Sequence, residues 1–331
     1  IEGRFLDNRL TLDLSIYNKK TNDLIINRPL DPSTGYTSTQ TNIGLIENKG
    51  VELDLSMNWL ENSEGLNWSS SFNWSTNDAI VIDLGEDTDR IVYAGFGTLG
   101  NAAIPGESLG AIIGSSITRY GGTIENSRWI DAGDPVVNNQ GSYDETFDPT
   151  IIGDANPDWI ANLSNSISYK NLSLNFLFNY QQGGDIFTYT VATLLGRGLT
   201  TDTLDRELSF VLPGVNSNGQ PNTKMINNST FYFSNVLYGP DEMLVYDASH
   251  WRLGEVSLSY SLPNKIIENT PFGSISITAS GFNLAYNAWN TPKGTNFDPN
   301  IAGVGVGNGR GFDFLNGPSA RRYGGSIKLT F

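Results

Sequence analysis

A chain of 331 residues with 38% hydrophobic residues, 11% aromatic residues and 36 glycines does not have the composition of a protein built around one large dry core. Its formal net charge of −15 argues against a nucleic-acid partner. The sequence contains no cysteine, which excludes disulfide frameworks, thiolate metal sites and cysteine nucleophiles.

Alternation of apolar and polar residues with a period of two is the strongest pattern in the chain. In chain order, it occupies residues 10–17, 51–59, 66–75, 159–168, 172–181, 255–262, 274–280 and 322–331. These stretches predict about eight antiparallel strands of about ten residues or more. A soluble strand averages about five or six residues, whereas about 9–11 tilted residues cross a bilayer. The strand lengths therefore favour a membrane-spanning sheet.

The two faces of these strands differ in chemistry. One face carries mostly Ser and Asn, which suits a water-filled lumen, and the other carries aliphatic and aromatic side chains, which suit lipid. Trp59, Trp68, Trp159 and Tyr169 lie near strand ends, where an aromatic girdle is expected. The sequence thus predicts an all-β fold, an antiparallel transmembrane β-barrel segment. The alternative is a secreted β-sandwich that binds glycans, because sandwich strands also alternate.

Short and long connections alternate between the predicted strands. The short ones are 61–65, 169–171 and 263–273, and the long ones are about 30–43, 80–157, 184–248 and 288–320. Bacterial barrels have short periplasmic turns and long extracellular loops, so we expect the long connections outside the cell and the carboxy-terminus at the periplasmic edge. The alternating piece at 108–122 would break this order if it crossed the membrane. We therefore place it inside the second long connection, as a hairpin or rim strand.

The sequence contains no catalytic constellation, and we do not expect an enzyme. His250 is the single histidine and is interpreted as structural. The glycine-rich stretch 303–311 lacks the Lys-Ser/Thr of a phosphate-binding loop and is interpreted as a loop. Four carboxylates form a calcium candidate that departs from the EF-hand pattern, and no other cofactor is expected. They are Asp83, Glu86, Asp87 and Asp89.

Aromatic residues in the long connections provide the ligand hypothesis. They stand among Asn, Asp and Gly, and aromatic rings with amide and carboxylate neighbours suit sugar rings or peptides. The candidate ligand-lining residues are Trp129, Tyr143, Phe187, Tyr189, Tyr238 and Trp289. The alternative is that they pack the connections or form the docking face of a lid protein.

Several stretches, taken in their order and spacing, resemble the SusC-like (RagA-type) TonB-dependent outer-membrane transporters of Bacteroidetes. The match is always to the carboxy-terminal part of the family's barrel. The stretches are FLDNRLTLDLSIYNKKTNDLIINRPL from residue 5, IENKGVELDLSMNW from 46, IIGDANPDWIANLSNSISYKNLSLNFLFNYQQGGDIF from 151, DASHWRLGEVSLSYSLP from 247, SGFNLAYNAWN from 280 and NFDPN from 296.

This resemblance implies active import of a glycan or oligopeptide nutrient across the bacterial outer membrane. A SusD-like surface lipoprotein would cap the barrel, and TonB would act through a plug domain. Residues 1–331 would form the carboxy-terminal part of a barrel of roughly 22 strands.

The sequence has no counterpart of the family's signal peptide, TonB box or plug. We expect other polypeptide to supply the plug and the remaining strands, because an isolated arc would expose unpaired edges in lipid. The aromatic Phe331 resembles the signal that outer-membrane assembly machinery reads.

Overall fold

The computed structural model describes residues 1–30, 32–36, 38–42, 44–62, 64–85, 88–300 and 309–331. The strands in this part of the chain are β1 (Glu2–Phe5), β2 (Leu10–Asn22), β3 (Ile25–Pro29), β4 (Ser38–Asn42), β5 (Leu45–Leu60), β6 (Leu66–Asp83), β7 (Ile91–Gly95), β8 (Gly100–Ala103), β9 (Ala111–Ile117), β10 (Thr123–Glu125), β11 (Arg128–Ile130), β12 (Glu145–Asp154), β13 (Pro157–Tyr169), β14 (Leu172–Gly183), β15 (Asp185–Thr188), β16 (Ser209–Val211), β17 (Met225–Asn227), β18 (Val245–Asp247), β19 (His250–Ser261), β20 (Ser274–Asn287), β21 (Phe312–Asp313) and β22 (Arg322–Thr330). The α-helices are α1 (Tyr189–Gly196), α2 (Asn228–Phe231) and α3 (Asn264–Ile267). A π-helix covers Tyr232–Leu237, and single 3₁₀ turns cover Pro32–Thr34, Thr201–Thr203, Asp241–Leu244 and Lys293–Thr295.

One antiparallel sheet of nine strands dominates the structure, and we call it the wall. Its order is β1-β2-β5-β6-β13-β14-β19-β20-β22. Eight of these strands are the long strands that the sequence predicts, which confirms the antiparallel barrel-type fold. The ninth, β1, is a short addition that pairs with β2 from Glu2↔Asp13 to Phe5↔Leu10. Among the described residues, the outer edges of β1 and β22 have no partner strand, so the sheet is not closed.

The pairing register of the wall keeps the two chemistries on separate faces. Leu14 of β2 stands opposite Leu53 of β5, which stands opposite Trp74 of β6. On the other face, Glu52 stands opposite Ser75. Because successive side chains of a strand alternate between faces, a slip of one residue would mix these two surfaces. The alternation in the sequence therefore fixes the register.

The apolar face of the wall is open to its surroundings. Side chains on it, such as Ile16, Leu163, Phe178 and Leu258, are exposed. A row of aromatic rings lies on this face near the long connections, where Trp159 stacks on Tyr180 with ring centroids 4.8 Å apart. An open apolar face of this size suits contact with lipid and does not fit the β-sandwich alternative, in which a second sheet would cover it.

Connections of two kinds leave the wall at opposite edges. Residues 61–65, 170–171 and 262–273 join neighbouring strands at one edge, which we call the short-connection edge. Residues 23–44, 84–156, 184–249 and 288–321 leave from the other edge. These four long connections contain their own secondary structure, including the hairpins β3-β4, β10-β11 and β16-β17.

A separate four-stranded sheet, β12-β9-β8-β7, forms within the second long connection. Its strand β9 comes from the alternating piece at 108–122, and every residue of β9 is buried. β9 pairs with β8 and β12 and not with a strand of the wall, which is the arrangement expected of a strand inside the second long connection.

The hydrophobic core lies in the long connections rather than in the wall. Its largest cluster is formed by Ile112, Ile186, Phe187, Val191, Ala192, Leu195, Val236, Leu237, Leu244, Ala248, Phe297 and Phe312. These residues come from three different long connections, so the connections pack together as one body.

Helix α1 is anchored within this core by a capping network. Thr188 is its N-cap and accepts a hydrogen bond from the Val191 N–H at 3.2 Å. The Asp313 carboxylate accepts from the Thr188 hydroxyl at 2.8 Å and from the Thr190 N–H at 3.1 Å. A carboxylate at a helix amino-terminus is stabilising, and here it joins the third connection to the fourth. Within the residues described, no helix has the length and apolar content that a membrane crossing needs.

Candidate functional site

A cavity of about 730 Å³ lies between the polar face of the wall and the four-stranded sheet of the second connection. On the wall side its lining includes Tyr17, Asn48 and Glu52. On the opposite side it includes Tyr93 and Leu109, and Arg310 of the fourth connection also contributes. Cavities of about 300–1,000 Å³ are the size that small ligands occupy. The cavity is therefore the candidate functional site.

Asn48 lines this cavity and carries an unsatisfied hydrogen-bond acceptor. Its Oδ1 atom is enclosed and has no partner. An enclosed carbonyl oxygen without a donor costs about 1–3 kcal/mol, which a ligand N–H or O–H recovers only when the side chain turns this oxygen into the cavity. Glu52 and Arg310 add one charge of each sign to the lining. The polar part of the cavity can therefore accept and donate hydrogen bonds.

Tyr17 brings an aromatic ring to the polar face because its partner residue is a glycine. Tyr17 stands directly opposite Gly50, and a Cβ atom on Gly50 would lie 2.3 Å from the Tyr17 hydroxyl oxygen. The ring thus lies on the bare backbone of β5, a contact that a side chain at position 50 would block. The Asn-Lys-Gly stretch at 48–50 supplies both this glycine and the unpaired Asn48 oxygen.

Tyr93 holds the opposite side of the cavity in place. Its hydroxyl donates a hydrogen bond to the Leu109 carbonyl oxygen. Burial raises the pKa of Tyr93 to about 12, so the phenol remains neutral at physiological pH. A neutral ring with its hydroxyl already engaged offers mainly an apolar surface to a ligand.

Tyr238 is the most exposed of the six predicted ligand-lining residues, at 55%. Its ring centroid is 4.9 Å from that of Phe233. Arg197 donates a hydrogen bond to the Tyr238 hydroxyl at 2.9 Å, and its guanidinium carbon lies within 6 Å of both ring centroids, at 5.7 and 5.8 Å. This exposed cluster belongs to the third long connection and does not line the cavity.

The structure does not bring the six predicted residues together on one surface. Phe187 is only 2% exposed and packs in the core with Phe312, so in this conformation it cannot face a ligand. Tyr189 packs against the same core. Trp129 donates to the Ser116 hydroxyl at 2.9 Å, and Tyr143 packs against a smaller core.

The last of the six, Trp289, contacts Tyr180 on the apolar side of the wall, with centroids 5.7 Å apart. Residue type alone thus selects mostly packing aromatics, and the ligand role of all six stays a prediction. Tyr17, Asn48 and Tyr93 were not selected. The one signal for them in the sequence is Tyr17 itself, an aromatic residue at a polar-face position of its strand.

The calcium candidate falls partly outside the structure. Glu86 and Asp87 lie outside the described residues, whereas Asp83 is the last residue of β6 and Asp89 is exposed in the bend before β7. In the described part of the chain, no group of three or more His, Asp or Glu side chains is placed to hold a metal ion. Calcium binding stays a prediction.

The histidine, the glycine-rich stretch and the carboxy-terminal phenylalanine are the remaining features singled out in the sequence. His250 is buried, and its Nδ1–H donates to the Ala248 carbonyl oxygen at 2.8 Å, which suits a structural residue. Of the glycine-rich stretch, residues 303–308 lie outside the described residues. Phe331 is 86% exposed, with its ring centroid 5.1 Å from that of Phe272. Its role in assembly stays a prediction.

Comparison with known proteins decides the family. Residues 1–176 match the family model "TonB dependent receptor-like, beta-barrel". The chain belongs to this family of TonB-dependent receptor β-barrels. The TonB-dependent receptor P3 of Formosa agariphila is 30% identical over 86% of the chain, and SusC of Bacteroides thetaiotaomicron is 23% identical over 78%. The resemblance to SusC-like transporters is thus confirmed, and the family is one of outer-membrane proteins.

A solved structure agrees with the observed fold. The structure of the RagAB peptide transporter superposes on the whole chain with a TM-score of 0.66 at 21% identity. The chain covers 34% of that structure, 28% of receptor P3 and 25% of SusC. It therefore spans between a quarter and about a third of these relatives. They are named as receptors and a transporter, not as enzymes.

Proposed function

We propose that this chain forms the carboxy-terminal part of the barrel of a TonB-dependent importer that takes up a glycan or oligopeptide nutrient. The polar face of the wall is the lumen surface, the long connections are extracellular, and the short-connection edge is periplasmic. Other polypeptide completes the barrel and carries the plug on which TonB acts. The observation that supports this proposal best is the cavity between the polar face and the second long connection.

The lining of the cavity favours a neutral ligand with many hydrogen-bonding groups. Tyr17 offers a ring for stacking, and Asn48 carries an unpaired acceptor. Glu52 and Arg310 add groups of opposite charge. Hydroxyl groups of sugars and amide groups of peptides both satisfy such a lining. The RagAB structure is described as a peptide transporter, which keeps the peptide alternative beside the glycan.

The third long connection is the part of the chain that we propose as the docking site of a SusD-like lipoprotein. It exposes several large apolar side chains, two of which belong to the Arg197 cluster. They are Leu199, Leu204, Leu208, Met225, Phe233 and Tyr238. Exposed large apolar side chains are typical of protein interfaces. The third long connection leaves from the same edge of the wall as the connections that line the cavity.

The test compares two asparagines on the polar face in the whole transporter, expressed in its host. Asn48→Leu removes the unpaired acceptor of the cavity, whereas Asn175→Leu changes a polar-face position outside it. Cells receive either a defined mixture of oligosaccharides or a defined mixture of oligopeptides as nutrient, and depletion of each compound is measured by mass spectrometry.

We expect the transporter to deplete compounds of one class, and Asn48→Leu to slow that depletion roughly tenfold, the effect of about one lost hydrogen bond. Asn175→Leu should behave as the unmodified protein. If deletion of the transporter leaves both mixtures unchanged, the import proposal is wrong. If Asn48→Leu is as active as Asn175→Leu, the cavity is not the ligand site.

A further inference from the structure

The apolar face of the wall is interrupted by a buried asparagine near the short-connection edge. Asn165 of β13 is 6% exposed and stands between Ser70 of β6 and Phe176 of β14. The neighbouring positions of β13 on this face, Leu163 and Ile167, are apolar. A polar amide on a lipid-facing surface is costly unless its hydrogen-bonding groups are satisfied.

Two neighbouring side chains donate to the oxygen of this amide, and a third supports one of them. Trp68 donates its indole N–H to Asn165 Oδ1 at 3.0 Å, and the Ser70 hydroxyl donates to the same oxygen at 2.6 Å. Trp59 in turn donates its indole N–H to the Ser70 oxygen at 3.0 Å. The two indole rings lie 5.5 Å apart. Together these residues form a polar network around the amide oxygen on an otherwise apolar surface.

The direction of this network fixes the orientation of the amide. An indole N–H can only donate, so the Asn165 oxygen and not its nitrogen must face Trp68. The same holds for Trp59, which makes the Ser70 hydroxyl an acceptor on that side and a donor toward Asn165. The amide nitrogen Nδ2 is therefore directed away from the network. It has no acceptor among the described residues, and it is not among their enclosed unpaired atoms, so it reaches the outer surface.

The position of this free donor along the strand identifies what can satisfy it. Asn165 lies four residues from Tyr169, the last residue of β13, which is about 13 Å along a strand. At a tilt of about 45°, the depth below the strand end is about 9 Å. Tryptophan rings such as Trp59 and Trp68 mark the interface between the headgroups and the hydrocarbon. Water is scarce at that depth, whereas the ester groups of phospholipids are abundant.

We propose that Asn165 is a lipid-binding residue whose Nδ2–H donates a hydrogen bond to an ester carbonyl oxygen of a glycerophospholipid. Trp59 and Trp68 flank this lipid, and Ser70 holds the amide in the orientation that binds it. The site lies on the outer surface of the barrel, far from the cavity on the polar face. Its assignment to the periplasmic leaflet rests on the orientation given under the proposed function.

The test measures lipid retained by the whole transporter after purification in detergent. Matched samples receive ester-linked phosphatidylethanolamine or its ether-linked analogue, which keeps the phosphate but lacks the ester carbonyls. Native mass spectrometry counts the lipids that remain bound. The variants are Asn165→Leu and, as a control on the same strand and the opposite face, Asn162→Leu. Trp68→Phe removes the donor that orients the amide and serves as a second variant.

We expect roughly tenfold lower occupancy by one ester-linked lipid in Asn165→Leu, a smaller loss in Trp68→Phe, and no change in Asn162→Leu. The ether-linked analogue should bind weakly to all forms. Equal retention of ester and ether lipids would assign the contact to the phosphate, and unchanged retention in both Asn165→Leu and Trp68→Phe would remove the site; either result overturns the proposal. Nutrient depletion by the same variants, measured separately, tests the import function, so the two proposals fail independently.

Discussion

In the wall, large apolar side chains point outward and remain exposed, whereas in the long connections they face one another. Ile16 of the wall is 73% exposed, and Phe312 of the fourth connection is fully buried. The connections are therefore stabilised as a soluble domain is, by removing apolar surface from water. The wall has little core of its own and relies on its hydrogen-bonded ladders and on lipid.

The comparison shows that one sequence pattern carries two meanings. Alternation in the wall separates a lipid face from a lumen face, but β9 alternates less strictly and is buried on both faces. The difference between the two regions also explains the composition. A wall that encloses no hydrophobic core of its own needs few hydrophobic residues.

The two regions are joined by a buried ion pair between Arg252 of β19 and Asp298 of the fourth connection. Arg252 also donates to Asn283 of β20 at 3.0 Å.

The sharpest way to separate the two regions is to damage the core of the connections. Phe312→Ala removes a fully buried ring that packs on Phe187, and we expect it to destabilise the connections by about 3–5 kcal/mol. Hydrogen exchange measured by mass spectrometry should become faster in β15 and α1, while the wall strands keep their protection. Phe147→Ala, at an exposed position of β12, is the control and should change little. Faster exchange throughout the wall would mean that the two regions unfold as one unit.

The second prediction concerns the wall and tests whether its apolar face contacts lipid. Leu163 lies at the centre of β13 on the apolar face, and Leu163→Arg should destabilise the protein in a membrane by about 2–4 kcal/mol. Tyr169→Arg, on the same strand and face but at its end, should cost about 0–1 kcal/mol. Urea unfolding of the whole transporter in lipid vesicles measures both. Equal costs at the two positions would contradict a lipid-facing surface.

The wall could be predicted from the sequence because each of its long strands shows its alternation within a short stretch of the chain. A period of two over ten residues identifies a strand, and the alternation of short and long connections identifies which connections share an edge of the sheet. The addition β1 was missed because Glu2–Phe5 has no such alternation and is a strand only through its pairing with β2. The other small strands of the connections have no such alternation either, apart from β9, which lies in the alternating piece at 108–122.

The site could not be predicted, because it depends on contacts between residues that are distant in the sequence. Phe187 was chosen as an exposed aromatic, but the parallel pairing of β15 with β21 places it opposite Phe312. Conversely, Tyr17 becomes a cavity residue only because the register of β2 and β5 sets it over Gly50. Residue type points to aromatic side chains in general, and only the register and the packing identify which rings are free.

The smallest effect concerns how the second and third connections are joined. The Asp241 carboxylate accepts a hydrogen bond from the Ser115 N–H of β9 at 3.0 Å, and Glu242 accepts from the Ile117 N–H at 3.0 Å while pairing with Arg119. Burial raises the pKa of Asp241 above its usual value of 3.8. The folded connections therefore hold this proton more tightly than the unfolded chain does. The resulting stabilisation is complete below about pH 3.8 and is lost as the pH rises through the raised folded pKa.

Asp241→Asn keeps an acceptor for the Ser115 N–H but cannot ionise, so it should remove this dependence on pH. We expect the variant and the unmodified protein to match below about pH 3.8 and to diverge as the pH rises to 7, with the variant more resistant to proteolysis in the connections. Limited proteolysis at a series of pH values, with an acid-tolerant protease, measures the difference. The wall should be insensitive, because Ser115, the hydrogen-bond partner of Asp241, belongs to the connections. A variant that is less resistant at pH 7 would show that the charge of Asp241 strengthens its bond to Ser115 by more than burial costs, and the join between the connections would then be electrostatic.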